Sequence, residues 1–262
     1  MKRLVTNWPL AVVMLLLAGC SKNNNPAPVP ADSQGTRVAR IDHSAVYYDS
    51  LYYNAGGQII RIKRFSTNPS PEPAYDIEYN ANGTVKQVLQ NNGARLVYQY
   101  MGQPKPMVVS HFNQAGIKLD YVLYDYDAQG RLHIAETMES IDPSGQAFTY
   151  GTQTVYHYRT DGNLDREEIS KWTGQRYDPD VVITYDNYDQ GNNIDSIGHY
   201  LYLGFQRLTK NNPGKRTVTS NGTSVEWQYT YQFNTGFMPV EKKERYTILG
   251  QPYESLIRYH YY

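Results

Sequence analysis

Tyr126-Asp127-Ala128-Gln129-Gly130-Arg131-Leu132 runs from an aromatic residue through a turn-forming acid and a Gly to an aliphatic residue. The Asp side chain bonds the backbone just after it, and Gly accepts positive φ. Together they let a strand reverse tightly, so the stretch predicts a β-hairpin. The same order recurs in Tyr53-Asn54-Ala55-Gly56-Gly57-Gln58-Ile59, in Tyr79-Asn80-Ala81-Asn82-Gly83-Thr84-Val85 and in Tyr158-Arg159-Thr160-Asp161-Gly162-Asn163-Leu164. Looser copies are Phe112-Asn113-Gln114-Ala115-Gly116, Tyr188-Asp189-Gln190-Gly191 and Phe233-Asn234-Thr235-Gly236. A turn repeated in this way organises the chain into strand, turn, strand and a second turn.

Between the turns the residues alternate. In Val225-Glu226-Trp227-Gln228-Tyr229-Thr230-Tyr231-Gln232-Phe233 every odd residue is apolar or aromatic and every even one polar. This predicts Trp227, Tyr229 and Tyr231 buried together, with Glu226, Gln228 and Thr230 in solvent. Tyr75, Ile77 and Tyr79 alternate with Asp76, Glu78 and Asn80 in the same manner. Counting turn signals gives roughly 14 to 18 short strands, more than a flat open sheet carries without curling. The expected fold is all-β: an antiparallel up-and-down meander of successive hairpins curled into a barrel or half barrel.

Composition agrees. Among 262 residues are 26 Tyr, 20 Gly and 14 Pro, which favour aromatic strands and frequent turns over long helices. Lys plus Arg and Asp plus Glu number 25 each, so no global charge signature for a nucleic-acid partner exists. A single Cys excludes an internal disulfide framework.

That Cys has a different setting. Lys2 and Arg3 precede an apolar run from Leu10 to Ala18, about the length of a signal-peptide core and too short to span a bilayer. Leu17-Ala18-Gly19-Cys20 closes the run and resembles the lipobox of bacterial lipoproteins, which implies cleavage before Cys20 and lipidation there. From Ser21 the chain is polar and rich in Asn and Pro, as a flexible linker is. The expected organisation is a leader over 1–19, lipidated Cys20 and linker over 20–40, and one all-β domain over 41–262.

Candidate chemistry is sparse. His43, His111, His133, His157, His199 and His260 form no local metal-binding spacing, and a strand His is by default a hydrogen-bonded polar residue. The acid pairs Asp125/Asp127, Glu167/Glu168 and Asp178/Asp180 invite a hydrolase reading, and the run from Asp186 to Asp195 a calcium reading. Turn chemistry explains such acids equally well. No nucleophile elbow, P-loop or dinucleotide fingerprint occurs, and lipidation consumes the only Cys. No catalytic residue, cofactor or metal ligand is therefore expected. Tyr and Trp faces are the remaining candidates for contact with a ligand or partner.

Two resemblances follow. Tyr126 to Leu132 looks like the YD repeat of Rhs-type proteins, which build β shells; the other copies lack its Arg. The layout of lipobox, Asn/Pro linker and Tyr-rich hairpins is similar to that of uncharacterised bacterial lipoproteins grouped as a domain of unknown function with a porin-like fold. That resemblance implies a barrel-like sheet and transfers no catalytic residues. The expected function is a lipid-anchored cell-envelope protein, at the outer membrane facing the periplasm or exposed at the surface, with a non-catalytic binding or scaffolding role. Its partners would be the membrane, through the lipid on Cys20, and a glycan or a protein, with no nucleic acid. Alternatives are a carrier of an apolar ligand inside the curled sheet and an enzyme acting on envelope glycans. An integral outer-membrane barrel is disfavoured by the segment after Tyr53. There Ile59, Arg61, Lys63 and Phe65 are expected on one face and Ile60, Ile62 and Arg64 on the other, so neither face is clean for lipid.

Overall fold

The computed structural model describes residues 37–67, 73–194 and 208–262; the lipobox, Cys20, the linker before Arg37 and His199 lie outside them. Sixteen strands form among these residues: β1 Val38–Ser44, β2 Tyr47–Tyr53, β3 Ile59–Ser66, β4 Ala74–Tyr79, β5 Val85–Gln90, β6 Arg95–Gln99, β7 Val108–Phe112 and β8 Lys118–Tyr126. The second half comprises β9 Leu132–Ser140, β10 Phe148–Tyr158, β11 Leu164–Trp172, β12 Tyr177–Asp186, β13 Lys215–Ser220, β14 Thr223–Phe233, β15 Pro239–Ile248 and β16 Gln251–Tyr261. β1 takes in Val38 to Arg40, which composition placed at the end of the linker. Each strand pairs antiparallel with its neighbours in sequence, and β1 closes on β16 through Val38↔Tyr261 and Ile41↔Tyr259. The result is a closed meander barrel.

Copies of the repeated turn stand at one rim of this barrel, except Phe112 to Gly116, which joins β7 to β8 at the other. In the copy from Tyr126 to Leu132, Asp127 Oδ1 accepts the Arg131 amide at 2.8 Å, and Gly130 stands at φ 74°. Asn54 Oδ1 likewise accepts the Gln58 amide at 2.9 Å, and Asn234 Oδ1 the Met238 amide at 3.1 Å. Two copies depart from expectation. In Phe233 to Met238 the left-handed position is Phe237, at φ 57°, rather than Gly236. Tyr188-Asp189-Gln190-Gly191 is not a hairpin turn; Asp189 accepts the Asn212 amide at 3.1 Å and folds the β12–β13 connection back on itself.

After each of these hairpin turns the register slips, because the returning strand carries an extra residue, a β-bulge. In β3 this overturns the expected faces. Tyr53 faces Ile59 and Tyr52 faces Arg61, so Ile59 joins Ile62 and Arg64 inside while Arg61, Lys63 and Phe65 point out. The strict period of two fails across an inserted residue.

A tyrosine at or within two residues of the end of each even-numbered strand serves the rim at that end. Tyr53 donates its hydroxyl to the Val38 carbonyl at 2.8 Å, Tyr79 to Ile59 at 2.7 Å, Tyr100 to Val85 at 2.9 Å and Tyr126 to Pro106 at 2.7 Å. Tyr188, Tyr231 and Tyr261 continue the series to Leu164, Pro213 and Pro239. Burial pushes the Tyr79 phenol up to about 12, so it is a donor at any ordinary pH. Tyr158 alone breaks the series: its hydroxyl is buried without a hydrogen-bond partner among the described residues. Tyr79→Phe is therefore expected to cost about 1 kcal/mol, whereas Tyr158→Phe removes an unsatisfied group and should leave stability equal or higher. Urea denaturation of both variants checks this, and equal losses would remove the distinction.

Just inside this rim lies the core. Leu51, Leu132 and Leu164, none more than 2% exposed, cluster with Val38, Ile41, Ile59, Val85, Val88 and Tyr156. A circular barrel of sixteen strands would leave an aqueous channel, so at this level the walls and the residues between them meet. The β12–β13 connection contributes: Ile194 is buried in the same core, and Asn163 Oδ1 on the β10–β11 turn accepts the Asn211 amide at 2.9 Å.

The outer face carries paired charges on β3–β4, β11 and β13–β16. Arg61 grips Asp76 at 2.6 and 2.9 Å, Arg166 meets Glu168 at 2.7 Å, and Glu254 takes both Lys243 at 2.6 Å and Arg245 at 2.8 Å. Arg258 reaches Glu241 at 3.6 Å, and Lys215 pairs with Glu226. Outward aromatic residues gather on β8 to β12, where Trp172 lies 4.9 Å from Tyr150 and 5.2 Å from Tyr177.

Candidate binding site in the barrel interior

Strand parity carries Glu167 on β11, Tyr185 on β12, Arg216 on β13, Tyr229 on β14, and Lys242 and Glu244 on β15 to the inner face. They line a cavity of about 360 Å³ with Ile41, Ile183, Ile257 and Tyr259; Ile194 and Leu208 of the β12–β13 connection border it.

The polar groups are arranged in pairs. Tyr185 donates to Glu167 Oε1 at 2.7 Å, and Lys242 Nζ lies 2.9 Å from Glu244 Oε1 and 4.4 Å from the centre of the Tyr229 ring. Burial raises the Tyr185 phenol, and the nearby Glu167 charge adds to the effect; burial also raises Tyr229, against Lys242 and Arg216. Both phenols are thus donors. Arg216 has its guanidinium 5.3 Å from the centre of the Trp227 ring, and its Nε is buried without a partner among the described residues. Two cations and two carboxylates face the space.

From this cavity the inner face of β14 to β16 continues to the rim opposite the tyrosine series. Trp227, Tyr246 and Tyr253 are directly opposed there, Trp227↔Tyr246 and Tyr246↔Tyr253. Their ring centres are 5.5 and 5.3 Å apart, and the planes of Tyr246 and Tyr253 differ by 12°. The alternation expected for this strand holds, but the core placement of Trp227 does not. Trp227, Tyr229 and Tyr231 are half-buried, since the core sits at the other rim and the wide barrel is not filled here.

Four of the five described histidines lie against a carboxylate. His43 and Arg64 both bond the buried Asp49 inside the barrel, at 3.2 Å and at 3.0 and 3.3 Å. His111 pairs with Asp120, His157 with Glu168 and His260 with Asp42. No group of three or more His, Cys, Asp or Glu that could hold a metal occurs among the described residues. The acid pairs are not brought together as working pairs: Asp127 serves its turn, Glu167 and Glu168 fall on opposite faces, and Asp178 and Asp180 bond Arg176 and Lys171. Asp189, in the run considered for calcium, is occupied by Gly191 and Asn212.

No protein-family model and no curated protein matches the chain. Among solved structures, a porin-like protein from Bacteroides uniformis superposes with a TM-score of 0.59 at 12% identity, over 87% of this chain and 98% of that one. The fold is porin-like. A second porin-like protein, from Bacteroides vulgatus, gives a TM-score of 0.58 at 15% identity over 87% of this chain and 99% of its own. At these identities the likeness is one of backbone.

Of this polar lining, only Glu167, in an acid pair, and Tyr229, on the inward face of its strand, stand out in the sequence. Lys242 and Glu244 are not singled out there, although the Phe233 to Met238 turn sets them opposite Tyr231 and Tyr229, on the face expected to be inward.

Proposed function

We propose that the chain is a non-catalytic binding protein of the bacterial cell envelope, tethered by lipid on Cys20 and holding a small ligand inside the barrel. The tether would place it at the outer membrane facing the periplasm, with cleavage before Cys20 and a flexible segment ahead of β1. The observation that carries this reading is the outer belt of paired charges. Arg61, Arg166, Lys243, Arg245 and Arg258 point away from the lumen, and each cation on a lipid-facing strand would cost about 2–4 kcal/mol at mid-bilayer. Such a surface suits water, with acyl chains supplying the membrane contact. The packed core argues against conduction, and the cavity beside it gives a ligand somewhere to sit.

Wild-type protein is expected to incorporate a fatty-acid analogue and sediment with membranes; full-length Cys20→Ala should lose the label, and residues 21–262 exported behind an ordinary cleavable leader should stay monodisperse without detergent. If residues 21–262 still demand detergent, the barrel itself meets lipid and the reading is overturned.

A further inference from the structure

Resting on that reading of the interior, we propose that the strip Trp227, Tyr246 and Tyr253 and the cavity below it bind a neutral saccharide. The three rings stand on adjacent strands with centres 5.5 and 5.3 Å apart; Tyr246 and Tyr253 are stacked with planes 12° apart and Trp227 is tilted by 36° to Tyr246, so they form a contiguous apolar aromatic cluster whose end ring, Tyr253, is 48% exposed. Sugar rings present C–H faces that pack on such surfaces while their hydroxyls project sideways. The outer rings Tyr150, Trp172 and Tyr177 are inclined to one another more steeply, by 51° to 76°.

Charge decides between ligand classes. An anion entering the cavity would meet Glu167 and Glu244 as well as Arg216 and Lys242, and a cation would meet the reverse. A fatty chain would strip water from all four without replacing its hydrogen bonds. A neutral polyhydroxylated molecule takes both roles, donating to the carboxylates and accepting from the cations and from the Tyr229 hydroxyl. Arg216 Nε, which has no acceptor among the described residues, lies in the side chain between Tyr185 and Trp227 and would gain one from a sugar hydroxyl. The volume of about 360 Å³ lies at the small end of ligand sites and suits the end of a short oligosaccharide, with further units on the aromatic strip.

The test uses the lipidated protein in a sugar-free zwitterionic detergent, in a Trp172→Phe background so that Trp227 reports. The probes are maltotetraose, cellotetraose and acetylated chitotetraose, with sodium octanoate as the apolar comparator. At least one tetrasaccharide should shift Trp227 emission saturably. Tyr246→Ala should weaken that binding tenfold or more, Tyr246→Phe should retain it, and Tyr150→Ala on the outer face should not change it. Saturation by octanoate but by no saccharide would overturn the saccharide assignment and leave interior binding standing. Silence toward both classes at millimolar concentration would remove the interior site as well. Saccharide binding that Tyr246→Ala leaves intact would overturn the strip.

Discussion

Leu132→Ala is expected to cost about 2–5 kcal/mol and to lower the melting temperature more than any outer-face substitution. Leu132 closes the turn that begins at Tyr126, is 2% exposed and belongs to the cluster containing Tyr124, Tyr156 and Leu164. Deleting its isobutyl group leaves a void that barrel walls on both sides, held by hydrogen-bonded ladders, cannot collapse to fill. Leu119→Ala is the control: Leu119 points outward and is 40% exposed, so its loss should stay within about 0.5 kcal/mol. Circular-dichroism melts of the pair measure the contrast. Similar melting of the two variants would mean that inner and outer faces are wrongly assigned.

Asp49→Ala should be nearly as damaging, at about 2–4 kcal/mol, because it strands the Arg64 guanidinium and His43 inside the barrel. The figure stays below that for a fully enclosed pair since the Arg64 side chain remains 34% exposed. Acid should reproduce part of the effect in the wild type. Burial works against the Asp49 charge, but hydrogen bonds and charge from His43 and Arg64 outweigh it and hold the carboxyl below its ordinary 3.8. A group depressed on folding stabilises above its unfolded pKa, and that contribution disappears as pH falls through the lower folded value. Wild-type stability attributable to this group should therefore be constant above about pH 5 and decline below about pH 4, and Asp49→Ala should flatten that part of the curve. Denaturant midpoints across that range measure it; parallel curves would show that Asp49 titrates as it does in the unfolded chain.

The fold was legible because its decisive information is local. Each hairpin is written in one short stretch, as in Tyr79 to Val85, and a meander requires little more than the repetition of such stretches. Inner and outer faces were legible only up to the next bulge. Nothing in Ile59-Ile60-Arg61 marks which residue is the extra one, so the faces of β3 were inverted for Ile59. The interior site was illegible for a different reason: Glu167 and Lys242 lie far apart in sequence, and which distant strands border one cavity depends on where the walls converge. Trp227 illustrates both limits. Its face followed from alternation, while its depth depended on how much of a sixteen-stranded circumference the side chains could fill.

The seam where β1 meets β16 joins the first strand to the last, and the Tyr262 amide donates to the Arg37 carbonyl at 3.1 Å beside it. Every other pairing joins strands that are neighbours along the chain. A hoop of this kind has no edge strand, so it offers no free row of amides and carbonyls to another chain. Loss of any one strand creates two edges at once, each as long as its neighbour. A truncated chain, or one whose seam has opened, is therefore a template for strand exchange between molecules, and the intact seam protects the barrel from aggregation.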